Sequence, residues 1–333
     1  MSDKIISALK HIKFFIKAKG LEFDRYGLIQ DGMLYVSNGI AQCQTEFDVP
    51  FNAVIDLYQL QTLLSAVKGE TVIVVKDNEV ILQAEDNTYT ISTLPIEQFK
   101  WVNPTLSTEI YNCENPQVFK QACAIACDYV APISNDNAIN YAIETANIKN
   151  SVMSFTDRKN IFQFALDYAM PNISLPLHSL ICISKVIGKS EIVGFNIIGD
   201  KLLIKTEKLA LYVPILFDDN AMVWCDKYNT LIDNIDKEKC VDITINEHIE
   251  EQLKIVTKLS KSKYVFFNNH FCVSEGNKIE YSSFTEQPFS FKINIDNLNN
   301  VLSLTRDLRI SENNRLIFKN AYARGVINGI GAD

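Results

Sequence analysis

The chain has 333 residues, 47% of them hydrophobic and 22% charged, and its 32 Lys and Arg against 40 Asp and Glu leave a net charge of -8. That length and apolar content can fill two or three cores. No stretch approaches the roughly 18 consecutive apolar residues of a membrane span, and the N-terminus alternates charge with apolar residues instead of forming a signal-peptide core, so a soluble, cytoplasmic protein is expected. An acidic balance argues against general phosphate binding, although the total says nothing about how charge is distributed.

In chain order, a first amphipathic helix is expected from Asp3 to Lys17, with Ile5, Leu9, Ile12 and Ile16 on one stripe. A strand around Leu34 follows in DGMLYVSNG. Next comes a second helix from Asp56 to Val67, with Leu57, Leu60, Leu63, Leu64 and Val67 at helical spacing, and then a hairpin turning at Lys76 to Glu79. The same series begins again with a helix from Asn115 to Tyr129 and a strand around Val152. A helix entered at Pro176 carries Leu177, Leu180, Ile183 and Ile187, and a hairpin turns at Gly199 and Asp200. A third series has a helix from Asn246 to Ser260, a strand around Phe271, a helix capped by Asn294 with Ile295, Leu298, Val301 and Leu302, and a hairpin turning at Glu312 to Asn314.

The helix starts Asp56, Pro176 and Asn294 are spaced by 120 and 118 residues, and the strand landmarks Leu34, Val152 and Phe271 by 118 and 119. Two independent sets therefore share one period. A period that long marks repeated domains, not a solenoid of short units. The fold class expected is α+β, with three tandem modules of two helices packed on antiparallel sheet, at residues 1–105, 106–236 and 237–333.

Few residues suggest catalysis. The eight cysteines form no C-x-x-C pair, and Cys123 and Cys127 sit among alanines on an expected buried helix, so neither disulfides nor zinc are expected. The four histidines have no ligand spacing. Gly188-Lys189-Ser190 ends like a phosphate loop, but that pattern requires Gly at 183, where Ile183 stands, and the segment follows a helix instead of opening one. No cofactor is implied, and the protein is expected not to be an enzyme. The alternative in that class is a hydrolase with a site between modules built from residues such as Asp157, His178 and Cys182.

The threefold module resembles the bacterial-type β sliding clamp, the processivity factor of replicative DNA polymerases. The resemblance spans the whole chain, and its most specific segment is Thr156-Asp157-Arg158-Lys159-Asn160-Ile161, similar to the family's T-D-G-H-R-L. Arg158 stands where the family has glycine and Lys159 where it has histidine. Ile173 to Pro176 and a terminal strand from Ala323 to Ile330 add to the likeness, and the chain's compactness suggests a phage-encoded member.

The resemblance implies a ring closed by a head-to-tail homodimer around double-stranded DNA, contacted without base readout, and partnership with a replicative DNA polymerase and a clamp loader. It places the helices around the hole. The expected DNA-facing cations are Lys10, Lys13, Lys17, Lys185, Lys189, Lys254, Lys258, Lys261 and Arg306; Lys254, Lys258 and Lys261 lie nearly opposite Ile249, Leu253 and Val256. It also implies a partner-peptide cleft lined by Thr156, Arg158, Lys159, Ile161, Val326 and Ile327. A protein-binding scaffold of the same fold that does not encircle DNA is the nearer alternative.

Overall fold

A computed structural model describes residues 2–16, 25–49, 51–67, 71–76, 78–84, 87–99, 111–112, 116–134, 139–167, 169–187, 191–245, 247, 250–251, 264–268, 270–272, 278–279 and 291–331. The first module begins with α1 (Ser2–His11), which buries Ile5, Ala8 and Leu9, and after the buried Ile12 a 3-10 turn at Lys13–Phe15 ends it. The helix stops short of the expected Lys17, where Ile12 to Ile16 bring β-branched and aromatic side chains that lose rotamer freedom in a helix. Four strands follow: β1 (Tyr26–Gln30), β2 (Met33–Ser37), β3 (Gln42–Glu46) and β4 (Ala53–Asp56). Asp31 and Gly32 turn β1 into β2 with φ of 52° and 74°, the left-handed pair that a two-residue hairpin needs.

Asp56 then caps α2 (Leu57–Ala66) by accepting from the Gln59 N–H at 3.0 Å, and three strands follow: β5 (Thr71–Lys76), β6 (Glu79–Ala84) and β7 (Asn87–Leu94).

The order helix, four strands, helix, three strands repeats. After β8 (Tyr111–Asn112) come α3 (Pro116–Ala126), β9 (Thr145–Lys149), β10 (Val152–Thr156), β11 (Ile161–Ala165) and β12 (Ile173–Pro176). Then α4 (Leu177–Cys182) runs into a π turn at Ile183–Ile187, followed by β13 (Ile192–Ile198), β14 (Lys201–Thr206) and β15 (Leu209–Pro214). A 17-residue helix, α5 (Asp219–Ile235), leads to β16 (Cys240–Thr244). The third series has β17 (Tyr264–Asn268), β18 (His270–Cys272), β19 (Lys278–Ile279), β20 (Phe291–Asn294), α6 (Ile295–Leu302), β21 (Asp307–Ser311), β22 (Arg315–Lys319), β23 (Ala323–Asn328) and β24 (Ile330–Gly331). Most of the expected helix from Asn246 to Ser260 lies outside the described residues. Asn294 caps α6 by accepting from the Asp296 N–H at 2.8 Å.

Contacts sort these elements into two compact units, one of Met1–Ala124 with His178–Phe217, the other of Ile125–Leu177 with Asp218–Asp333. The first contains an 11-stranded sheet in the order β5-β6-β7-β4-β1-β2-β3-β15-β14-β13-β8. The second contains an eight-stranded sheet, β12-β9-β10-β11-β23-β22-β21-β16, and a five-stranded one, β19-β18-β17-β20-β24. Its core centres on Phe155, Phe162, Phe164 and Phe318, with the Phe155 and Phe162 rings stacked at 5.4 Å.

Two seams share one rule: the third strand after a module's first helix pairs with the third strand after the second helix of the next. Gln42, Cys43, Gln44 and Thr45 of β3 lie opposite Tyr212, Leu211, Ala210 and Leu209 of β15. Ile161, Phe162, Gln163 and Phe164 of β11 lie opposite Val326, Gly325, Arg324 and Ala323 of β23. Counting from the hairpin turns, these are equivalent positions, so the register is the same in both seams.

Candidate DNA-facing helices and partner-docking seam

Lys10 and Lys13 are exposed while Ile5, Leu9 and Ile12 on the same segment are buried, so α1 and its terminal turn present cations away from their core. Lys185 is exposed on the π turn that buries Ile183, Val186 and Ile187. Lys17, Lys189, Lys254, Lys258 and Lys261 lie outside the described residues. Arg306 is engaged with acids, Glu247 at 3.1 Å and Glu250 at 3.0 Å, and hydrogen bonds to these two carboxylates raise its guanidinium pKa above the usual value. A phosphate would have to compete with both carboxylates for that charge.

The segment 156–161 forms a tight turn held by its own side chains. Thr156 Oγ1 donates to the Asn160 carbonyl at 2.5 Å and accepts from the Arg158 N–H at 3.0 Å. Asp157 accepts from the N–H groups of Lys159 at 2.9 Å and Asn160 at 2.7 Å. Arg158 has φ 78°, in the left-handed region. The position thus keeps a conformation natural to glycine, and a residue with a Cβ holds it at a cost of about 1–2 kcal/mol. Asn328, at the end of β23, donates from its N–H to Asn160 Oδ1 at 3.1 Å and from its side-chain amide to the Lys159 carbonyl, tying the turn to the final strand.

Of the residues expected to line a cleft, Arg158 and Lys159 are exposed, whereas Thr156, Ile161, Val326 and Ile327 are buried. Ile161 and Val326 pack with Ile317 and with Tyr228, Ile232 and Ile235 of α5. The apolar floor of this seam is therefore covered by the chain's own helix. Sequence reasoning passed over α5, although Asp218 as its cap and the spacing of Ala221, Met222, Cys225, Tyr228, Ile232 and Ile235 mark it.

Polar bonds fasten α5 at both faces of this packing. Arg324, opposite Gln163 in the ladder, donates to Gln163 Oε1 at 2.9 Å, Asn229 Oδ1 at 3.0 Å and Asp233 Oδ1 at 2.8 Å. Tyr228 donates its hydroxyl to the Ala142 carbonyl at 2.7 Å, and Lys149 pairs with Asp226 at 2.6 Å. Outward, α5 exposes Val223 and Leu231 at 50% and 45%, with Lys227 placed 4.0 Å above the half-buried Trp224 ring. Beside the seam a cleft of about 290 Å³ is lined by Gln163, Asn229, Lys319, Tyr322 and Arg324.

Residues considered for catalysis have structural occupations. Asp157 supplies the hydrogen bonds of its turn, Cys182 is buried, and burial lowers the His178 pKa below its usual value. The Cys225 thiol is pushed up to about 11 by burial, which keeps it protonated and a poor nucleophile at neutral pH. Among the described residues no three His, Cys, Asp or Glu side chains could hold a metal ion, and no helix is long and apolar enough to cross a membrane.

No protein-family model and no curated protein matches the sequence. Solved structures do match it over nearly its whole length. The DNA polymerase III subunit beta of Pseudomonas aeruginosa aligns over 99% of this chain and 98% of its own, with a TM-score of 0.73 at 12% identity. The Helicobacter pylori beta clamp bound to a DNA ligase peptide aligns over 99% and 98%, with a TM-score of 0.70 at 12% identity. The same clamp in complex with 5-chloroisatin gives 0.71 at 14%, over the same shares. At such identities the likeness is one of architecture, and the chain has the fold of the bacterial β sliding clamps.

Proposed function

We propose that this chain is a DNA sliding clamp, a head-to-tail homodimer that encircles duplex DNA and tethers a replicative DNA polymerase. In this reading the modules are residues 1–105, 106–236 and 237–333, and it is not an enzyme. The observation that carries the proposal is the repeated seam. Applied once more, the rule that joins β3 to β15 and β11 to β23 requires β19 to pair with a β7. Among the described residues β19 pairs only with β18, and residues 87–92 of β7 pair only with β6. A second copy supplies the missing strand to each, and the reciprocal pairing closes a ring.

Counted from the β17–β18 turn, with His270 in the place of Met33 and Val152, the two existing seams put Ile279 opposite Asn87 and Lys278 opposite Thr88 of the second copy. Lys10, Lys13, Lys17, Lys185, Lys189, Lys254, Lys258 and Lys261 then face phosphates without reading bases, which permits sliding in a chain that is acidic overall. Arg306 contributes least, because Glu247 and Glu250 oppose its charge. The polymerase and a clamp loader engage the exposed turn bearing Arg158 and Lys159 together with the cleft beside the seam lined by Gln163, Tyr322 and Arg324; the H. pylori clamp was solved bound to a DNA ligase peptide.

Cysteine cross-linking tests the assembly. Asn87→Cys with Ile279→Cys yields a covalent dimer on oxidation, whereas Asn87→Cys with Lys278→Cys does not, because neighbouring residues of a strand point to opposite faces. A monomer in both cases refutes the ring. A dimer that does not retain DNA favours the scaffold reading.

A further inference from the structure

Among the described residues, the outer margin of β5 has no partner strand where its two internal counterparts are covered. Aligned by their hairpin turns, Lys76, Ile198 and Ser311 are equivalent, and so are Ile73, Phe195 and Leu308. β13 is covered by β8, with Tyr111 opposite Phe195, and β21 by β16 along five residues; both covering strands run antiparallel. Among the described residues β5 pairs only with β6 and ends the 11-stranded sheet.

The side chains record the difference. Phe195 and Leu308 are buried, whereas Ile73 and Val75 are only half-buried, and Val72 and Val74 are 56% and 41% exposed. The strand Thr-Val-Ile-Val-Val-Lys has no proline and no charge before Lys76, so it lacks the usual devices that keep an edge from pairing.

We propose that β5 is a docking edge for an extended segment of a partner protein, which adds to the sheet as an antiparallel strand. The chemistry of that segment follows from β16. There Val241 and Ile243 lie opposite Ile310 and Leu308, the equivalents of Val75 and Ile73, so the segment carries apolar residues at alternate positions on that face. On the other face Asp242 and Thr244 lie opposite Arg309 and Asp307, whereas β5 presents Val74 and Val72. The partner strand is therefore apolar or β-branched on both faces for about four residues, a pattern suited to strand addition. A second copy pairing β5 with β5 is the competing occupant, and self-association reads it separately in the test. The inference rests on the repeated strand order and not on the encircling of DNA.

The test uses the full chain and a labelled peptide of residues 239–245 carrying Cys240→Ser and Asp242→Val. Saturable binding, slowed amide exchange across residues 71–76, and a loss of about tenfold or more in affinity with Val72→Lys/Val74→Lys would support the docking edge. Both positions are exposed, so the variant keeps the fold. The proposal is overturned by no saturable binding, by binding indifferent to the two lysines, or by self-association that the two lysines abolish. It is also overturned if the amides of residues 71–76 that are not bonded to β6 exchange slowly in the free protein, since the chain would then cover its own edge. A protein that fails to encircle DNA leaves every one of these readouts intact.

Discussion

Replacing Gly325 with Ala strikes the seam on which the ring argument depends. Gly325 lies opposite Phe162 in the β11–β23 ladder, and a Cβ there would stand 2.2 Å from the Ile161 carbonyl oxygen and 2.5 Å from Phe318 Cζ. The first contact is with backbone, which cannot rotate away. Either the strands separate by most of an ångström or the Phe318 ring leaves its packing against Phe162 at 5.2 Å. Overpacking of this kind costs about 1–3 kcal/mol, and a stretched ladder hydrogen bond adds about 1. The lower chain entropy of alanine in the unfolded state offsets about 0.4–1 kcal/mol, leaving a net loss of about 1–3.6. Amide exchange in β11 and β23 reads that loss locally, without assuming all-or-none unfolding of the chain, and should accelerate about fivefold to several-hundredfold. Gly27→Ala is the control, because the nearest atoms to its Cβ belong to side chains, Leu57 Cδ1 at 2.6 Å, Leu34 Cδ1 at 2.9 Å and Leu57 Cγ at 3.0 Å, which can shift as backbone cannot. Unchanged exchange in Gly325→Ala, or a larger effect in Gly27→Ala, would refute the reasoning.

Other outcomes follow from the same geometry. Tyr228→Phe leaves the Ala142 carbonyl without its 2.7 Å donor and should destabilise the packing of α5 by about 1–2 kcal/mol, measured as a lower urea midpoint at unchanged slope. Lys10→Ala/Lys13→Ala/Lys185→Ala should weaken DNA retention and flatten its salt dependence by about two to three counterions, while Arg306→Gln changes it less. Two of the four histidines, His11 and His178, set a pH dependence. Burial, then Lys208, lowers the His11 pKa, and burial lowers that of His178. The unfolded chain then binds protons more readily than the native one, so this contribution is complete above about pH 7 and is lost as pH falls through about 6.5. His178→Gln should flatten the thermal midpoint between pH 7 and pH 5; an unaltered slope would show that His178 titrates alike in both states.

Much of this architecture is written locally. Asp56 and Asn294 cap their helices, Gly199 takes φ 58° in its hairpin turn, and the apolar stripes of α1, α2 and α6 face their cores. These features depend on neighbours in sequence, which is why the period could be found from spacing alone. What stayed hidden depends on distant partners. The stripe of α5 reads as an ordinary amphipathic helix, and only the seam explains why Tyr228, Ile232 and Ile235 meet Ile161 and Val326. A partner cleft looked open in the sequence because its floor is apolar, and buried strand core is apolar for the same reason. Arg158 looked like a break in the motif, yet the turn around it is intact, since the Thr156 and Asp157 hydrogen bonds hold the left-handed backbone without glycine. The charge of Arg306 was legible, but its opposition by Glu247 and Glu250 needed the folded chain.

The central claim is topological, and retention on circular DNA tests it most directly. The reduced Asn87→Cys/Ile279→Cys variant is mixed with a circular duplex, oxidised so that both seams close, and washed at high salt, where exposed charge contacts are screened. The covalent dimer should stay with the circle and slide free once the circle is cut. Equal retention on cut and uncut DNA, or a covalent dimer that never stays with the circle, would contradict it.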